Sequence, residues 1–304
     1  MLEFSLPELQ RDQSASFRRH PGEDIIQHQE GWFTGHRGVR LYRQSWLPDG
    51  DARAAILLIH GLFEHSGRYA NLVNHLVPQG YAICSFDQRG HGKSDGLRGY
   101  VERFDDFMED LQIFHGIVLG QFAGRREFIF GHSIGGTIGA IYMEKHQSDF
   151  AGCILSAAIA MPGSSVTRSS IAVARALSAI FPRLGIVPID GTAVSRDKRV
   201  VDAYSRDPLV YRGKIRARLG AELINVIERD LPAAMANIEA PLLLIHGTQD
   251  RLSNTQGSSL LYGRAKSGDK TLKYYEGLYH EILNEPERGQ VLADISVWLD
   301  RHAA

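Results

Sequence analysis

Six short, almost wholly apolar runs recur along the chain at intervals long enough to hold a helix. They are AAILLIHG (54–61), YAICSFD (81–87), EFIFGHS (127–133), AGCILSA (151–157), PLLLIHG (241–247) and TLKYYEG (271–277). A strand covered on both faces has no solvent side, so it loses the alternation of an edge strand and becomes continuously apolar. The segments between the runs carry helical spacing. Residues 104–122 place Phe104, Phe107, Met108, Leu111 and Phe114 on one stripe. RYANLVNHLVPQGY (68–81), TIGAIYMEKHQ (137–147) and GQVLADISVWLDRH (289–302) are further helical candidates. Strand and helix in alternation predict an α/β fold: a mostly parallel central sheet flanked by helices, with right-handed crossovers. HQEGWFTG (28–35) and VRLYRQSWLP (39–48) read as an antiparallel start, turning at HRG.

The rhythm stops between Pro162 and about Asp230. No strand-like run is evident there, only small apolar helical patterns followed by a charged stretch. This predicts a helical cap at 162–230 inserted into a core formed by 25–161 and 231–304, behind an N-terminal lead-in at 1–24. The cap holds 12 Lys/Arg and 7 Asp/Glu, a net of +5, while the whole chain carries -1. The remainder therefore carries -6.

That balance gives no reason to expect a nucleic-acid partner, and no basic block interleaved with aromatics occurs. The first residues lack the apolar core of a signal peptide. No stretch reaches the roughly 18 unbroken apolar residues of a membrane span. Cys84 and Cys153 both lie within apolar runs. Two buried thiols suit a reducing, cytoplasmic setting better than a disulfide framework. No Cys/His spacing resembles a zinc site, so neither metal nor cofactor is expected.

Two segments fit Gly-x-Ser-x-Gly: Gly131-His132-Ser133-Ile134-Gly135 and Gly92-Lys93-Ser94-Asp95-Gly96. A nucleophile elbow needs a strand ending at the first glycine and a helix starting after the serine, with small residues where the two backbones close together. The first segment follows EFIF and precedes GTIGAIYM, and so qualifies. The second lies beyond the end of its strand and reads as a solvated turn. It is not a phosphate loop either, because Asp87 stands where the first glycine of that motif is required.

A serine hydroxyl needs a base, and the base needs an orienting group. Asp250 follows PLLLIHG and His280 follows TLKYYEG, each just past a strand's carboxyl end, where open α/β sheets gather their chemistry. Ser133 is therefore expected as nucleophile, His280 as general base and then acid, and Asp250 as the group that fixes the imidazole tautomer. The oxyanion donors expected are the backbone N–H of Ile134 and one from the loop after AAILLIHG, Leu62 or Phe63. His60, His91, His132 and His246 lie beside strand-end glycines and read as packing or hydrogen-bonded residues. Asp87, which precedes the serine, reads as a turn stabiliser.

Taken together, HGLFEHSGRY, FDQRGHGKSDGLRGYV, GHSIGG, DPLV, HGTQD and YHEILNEPER resemble the monoacylglycerol lipase and lysophospholipase-like branch of the serine α/β-hydrolases, over about residues 25–300. The resemblance implies an α/β-hydrolase core under a lid and cofactor-free hydrolysis of single-chain acyl esters. It implies Leu62 as second oxyanion donor, with Glu64 and Arg68 near the substrate head group. Two positions depart from the pattern. Phe63 replaces a glycine usual before Glu64, and Leu283 stands where animal relatives carry a second histidine.

The expected function is release of a fatty acid from a small amphiphilic lipid ester, with monoacylglycerol foremost. A lysophospholipase, a broad short-chain carboxylesterase and a non-catalytic ligand-binding protein of the same fold are the alternatives. The +5 cap admits peripheral membrane contact.

Overall fold

The computed structural model describes residues 26–163 and 167–303. The lead-in expected at 1–24 lies outside them. The chain opens with a hairpin, β1 (Gln27–Thr34) and β2 (Arg40–Leu47), whose turn is the His36–Gly38 segment. The apolar runs become β3 (Ala54–Ile59), β4 (Tyr81–Phe86), β5 (Arg126–His132), β6 (Phe150–Ser156), β9 (Leu242–Gly247) and β10 (Lys270–Tyr275). Among the described residues they form one sheet in the order β1-β2-β4-β3-β5-β6-β9-β10. β2 pairs antiparallel with β4, and every pairing from β4 to β10 is parallel.

The helices between the strands are α1 (Ala70–Leu76), α2 (Asp105–Gln121), α3 (Ile134–His146), α8 (Gln256–Arg264) and α9 (Arg288–His302). Side chains alternate across each strand, which divides the core in two. Leu57, Ile129 and Leu155 face Phe107 and Leu111 of α2 and Ile138 of α3. Ile56, Phe128, Phe130 and Ile154 face Leu72 of α1 and Ile295 and Trp298 of α9. A sheet sealed on both faces leaves polar groups only at its ends. The carboxyl ends of β3, β5 and β9 come together at one edge. Cys84 on β4 and Cys153 on β6 are free and buried, with β3 and β5 between them.

The segment after β6 contains α4 (Arg168–Ile180), β7 (Gly185–Pro188), α5 (Lys198–Arg206), β8 (Lys214–Arg216) and α6 (Ala217–Asn225). The expectation of helices alone there is corrected: β7 and β8 pair as an antiparallel ribbon. They are short, they include Gly185 and Pro188, and their partners lie far apart in sequence, so no run marks them. α6 packs on α4. It continues through a π turn at Val226–Asp230 into α7 (Leu231–Met235), which packs on α3. The helical path therefore crosses residue 230 without a break.

Candidate active site

β5 delivers Ser133 to the sheet edge and α3 begins on the next residue. Ser133 has φ 56° and ψ -122°, a left-handed conformation in which an L residue is strained. The turn holds because α3 nearly touches both β5 and the end of β3. A Cβ on Gly131 would lie 2.4 Å from the Gly135 carbonyl oxygen, and one on Gly135 would lie 2.2 Å from that of Ile59. The Ser133 N–H donates to Ser156 O at 2.9 Å. Ser94, in the rival motif, instead donates its hydroxyl to the Asp87 carbonyl and accepts from Tyr42 N at 2.8 Å, as a turn residue does.

Asp250 and His280 are brought together. The His280 Nδ1–H donates to Asp250 Oδ2 at 2.6 Å. Asp250 is otherwise enclosed by donors: Leu252 N at 2.7 Å and Ser253 N at 3.0 Å on Oδ1, and the Ser253 hydroxyl at 2.7 Å and His246 Nε2 at 2.9 Å on Oδ2. Burial alone would raise the Asp250 carboxyl pKa, but the imidazole of His280 and the hydrogen bonds from His246 and His280 hold it far below the usual range. For His280 burial disfavours the cation, yet Asp250 beside it carries the imidazole above its ordinary value.

Ser133 and His280 line one cavity, of about 820 Å³. The Ser133 hydroxyl makes no hydrogen bond to His280 in this structure. Such contacts are often open before substrate binds and close when the reacting group arrives. The Leu62 and Ile134 backbone N–H groups donate to no described residue, and Leu62 lies on the cavity wall beside Ser133. The oxyanion loop containing Leu62 is tied down by Glu64, whose Oε1 accepts from Gly61 N at 2.5 Å and from the Tyr69 hydroxyl at 2.6 Å.

Glu64 reaches the cavity wall; Arg68 does not. The Arg68 guanidinium is enclosed between Glu64 at 3.2 Å and Glu281 at 2.6 Å, over the ring of Tyr204 from the cap. It keeps two buried carboxylates compatible. Burial and the neighbouring Glu64 raise the Glu281 carboxyl despite Arg68, whereas His132 and Arg68 lower that of Glu64 against burial. His132 itself is pushed down to about 3 by burial and by His280. Its ring is therefore a much weaker proton acceptor than that of His280, which is the base the arrangement offers.

Away from these groups the cavity is mostly apolar, with Ser169, Ser170, Asp190 and Arg251 among its lining. Leu177 of α4, Val187 of β7 and Leu223 of α6 line it beneath the cap. It can receive a hydrocarbon chain whose polar end rests at Ser133. Glu281, a cavity residue next to His280, carries no signal in the sequence, whereas His246, expected as a packing or hydrogen-bonded residue, is hydrogen-bonded to Asp250 and Ser258. Phe63 is oriented away from the wall: its ring meets Tyr211 of the cap edge-on at 4.8 Å.

The family model described as Serine aminopeptidase, S33 matches residues 50–287. The chain is 37% identical over 270 residues to the monoacylglycerol lipase of Mycolicibacterium smegmatis, covering 89% of this chain and 96% of that one. It is 35% identical to human monoglyceride lipase, covering 88% and 89% respectively. The crystal structure of Paleococcus ferrophilus monoacylglycerol lipase superposes with a TM-score of 0.77 at 33% identity, over 86% of this chain and 99% of that one.

Proposed function

The chain belongs to the Serine aminopeptidase, S33 family and has the α/β-hydrolase fold, and from that premise we propose that it is a serine hydrolase releasing a fatty acid from monoacylglycerol. One observation carries the reading: Ser133 and the Asp250-bound imidazole of His280 open onto a single cavity whose walls are mostly hydrocarbon.

In this reading the Ser133 Oγ attacks the ester carbonyl carbon while its proton passes to His280 Nε2. The tetrahedral oxyanion accepts from the N–H groups of Leu62 and Ile134, both unengaged within the described protein. Its collapse expels the glycerol alkoxide, which takes the proton from His280. Water, deprotonated by the same imidazole, then attacks the acyl-enzyme. Asp250 holds Nδ1 protonated and stabilises the imidazolium in both halves. Glu64 and Glu281 face the glycerol head group, and Arg68 acts on it only through them. The acyl tail lies along Leu177, Val187 and Leu223.

The outer surface of the cap supports contact with a lipid surface. Ile180 and Phe181 are more than half exposed, near Arg175 and Arg183 in the chain, and Val173, also more than half exposed, lies at the cavity. No helix among the described residues is long and apolar enough to cross a membrane. The two buried thiols fit a reducing compartment, with burial pushing that of Cys84 up to about 12.

Ser133→Ala assayed on 1-monoacylglycerol tests the reading. Turnover is expected to fall by about 10⁴-fold or more with the fold intact. Activity at wild-type level would remove Ser133 from the mechanism.

A further inference from the structure

Asp250 is gripped on both sides by imidazoles. His246, at the end of β9, is completely buried, and its Nε2 lies 2.9 Å from the same Oδ2 that His280 engages. A carboxylate can only accept, so this nitrogen carries the proton. In the neutral ring Nδ1 then holds the lone pair and accepts the Ser258 hydroxyl of α8 at 2.7 Å. A directed chain results: Ser258 to His246 to Asp250, with His280 bound from the other side.

We propose that His246, its tautomer set by Ser258, is a positioning residue for the proton-transfer pair Asp250–His280. The inference rests on reading Ser133, Asp250 and His280 as the catalytic set. Leu252 N, Ser253 N and the Ser253 hydroxyl already set the rotation of the carboxylate, and His246 adds a second fixed donor on Oδ2, the oxygen that faces Nδ1 of His280. It also shares the carboxylate charge, which moderates the hold of Asp250 on the imidazolium. With that donor removed, Oδ2 keeps only the Ser253 hydroxyl besides His280, and its charge falls more fully on His280. Proton release to the leaving alkoxide is then harder. The other groups facing His280 are Glu281, its chain neighbour, Glu64 from the loop after β3, and His132 at the end of β5; all remain in place.

The test compares wild type, Ser133→Ala, His246→Leu, His246→Gln and Ser258→Ala on 1-monoacylglycerol, measuring kcat, KM and the pH profile of kcat/KM. His246→Leu is expected to lower kcat about 10-fold with KM within about twofold, and to move the acid limb upward by about half a unit. His246→Gln, whose amide still donates, is expected to recover most of both. Wild-type kcat and an unmoved acid limb in His246→Leu would overturn the inference, as would a glutamine variant no better than leucine. Should His246→Leu not fold, Ser258→Ala decides: kcat about threefold lower supports the chain, and an unchanged kcat overturns it. Retained turnover in Ser133→Ala would instead bring down the underlying assignment, a result distinct from any of these.

Discussion

The Phe63 carbonyl accepts a hydrogen bond from Tyr211 N at 2.9 Å, and the two aromatic rings meet edge-on. This clasp ties the cap to the loop that presents Leu62. Phe63 sustains it at φ 68°, a left-handed conformation costly for any residue with a Cβ. The ring contact holds the strained backbone in place. Phe63→Ala loses the contact and keeps the strain, whereas Phe63→Gly loses the contact and relieves the strain. Denaturant unfolding is therefore expected to find the glycine variant about 1 kcal/mol more stable than the alanine variant, the reverse of their usual order.

A second prediction concerns the elbow. At Gly135 an added Cβ would collide with the Ile59 and His60 carbonyl oxygens, at 2.2 and 2.5 Å. Gly135→Ala is expected to destabilise the protein by about 3 kcal/mol and to abolish turnover by displacing Ser133. Gly116, within α2, meets nothing within 4 Å. Gly116→Ala is expected to stabilise by about 0.5–1 kcal/mol with normal activity, and thermal unfolding of both variants checks the contrast.

The pH dependence follows from His280. Only the neutral imidazole can take the serine proton, and Asp250 raises its pKa. Activity is therefore expected to rise with pH through a midpoint above about 6.5, the unperturbed histidine value. Asp250→Asn removes the raising charge, so its midpoint is expected below that of wild type, with kcat lower by about 10⁴-fold. For stability the sign differs by group. The lowered Asp250 pKa contributes stability at neutral pH, which is lost as pH falls below the unfolded carboxyl value of about 3.9.

The apolar wall makes a prediction about chain length. Leu177 lies on the cavity surface under α4. Leu177→Trp fills that space, and kcat/KM for long-chain monoacylglycerols is expected to fall about 10-fold while short-chain esters are cleaved as before. A series of acyl lengths measures it; an unaltered preference would place the tail elsewhere.

The sheet was legible because its strands are buried on both faces, and burial writes itself as continuous apolar runs. The elbow was legible for a steric reason: the crossing of β5 and α3 admits no side chain at Gly131, and the end of β3 admits none at Gly135. The ribbon of β7 and β8 was not, since four and three residues make no periodicity and Lys214 and Arg216 supply no apolar signal. Nor was the enclosure of Arg68 by Glu281, whose 213-residue separation only the assembled fold closes. His246 was masked by its own setting, because a histidine at a strand-end glycine looks the same whether it packs or steers a carboxylate.

The continuous path from α6 through the π turn into α7 joins the roof of the cavity to the core. Val226 and Ile227 of that turn belong to the main core, and α7 rests on the helix that begins at Ile134. The cover over the cavity is thus a cantilever built into the wall beside the nucleophile. α4 rests on α6, and Arg175 ties it to Asn225 and Glu228, so the roof over the hydrocarbon pocket and the helix that starts at the nucleophile share one support.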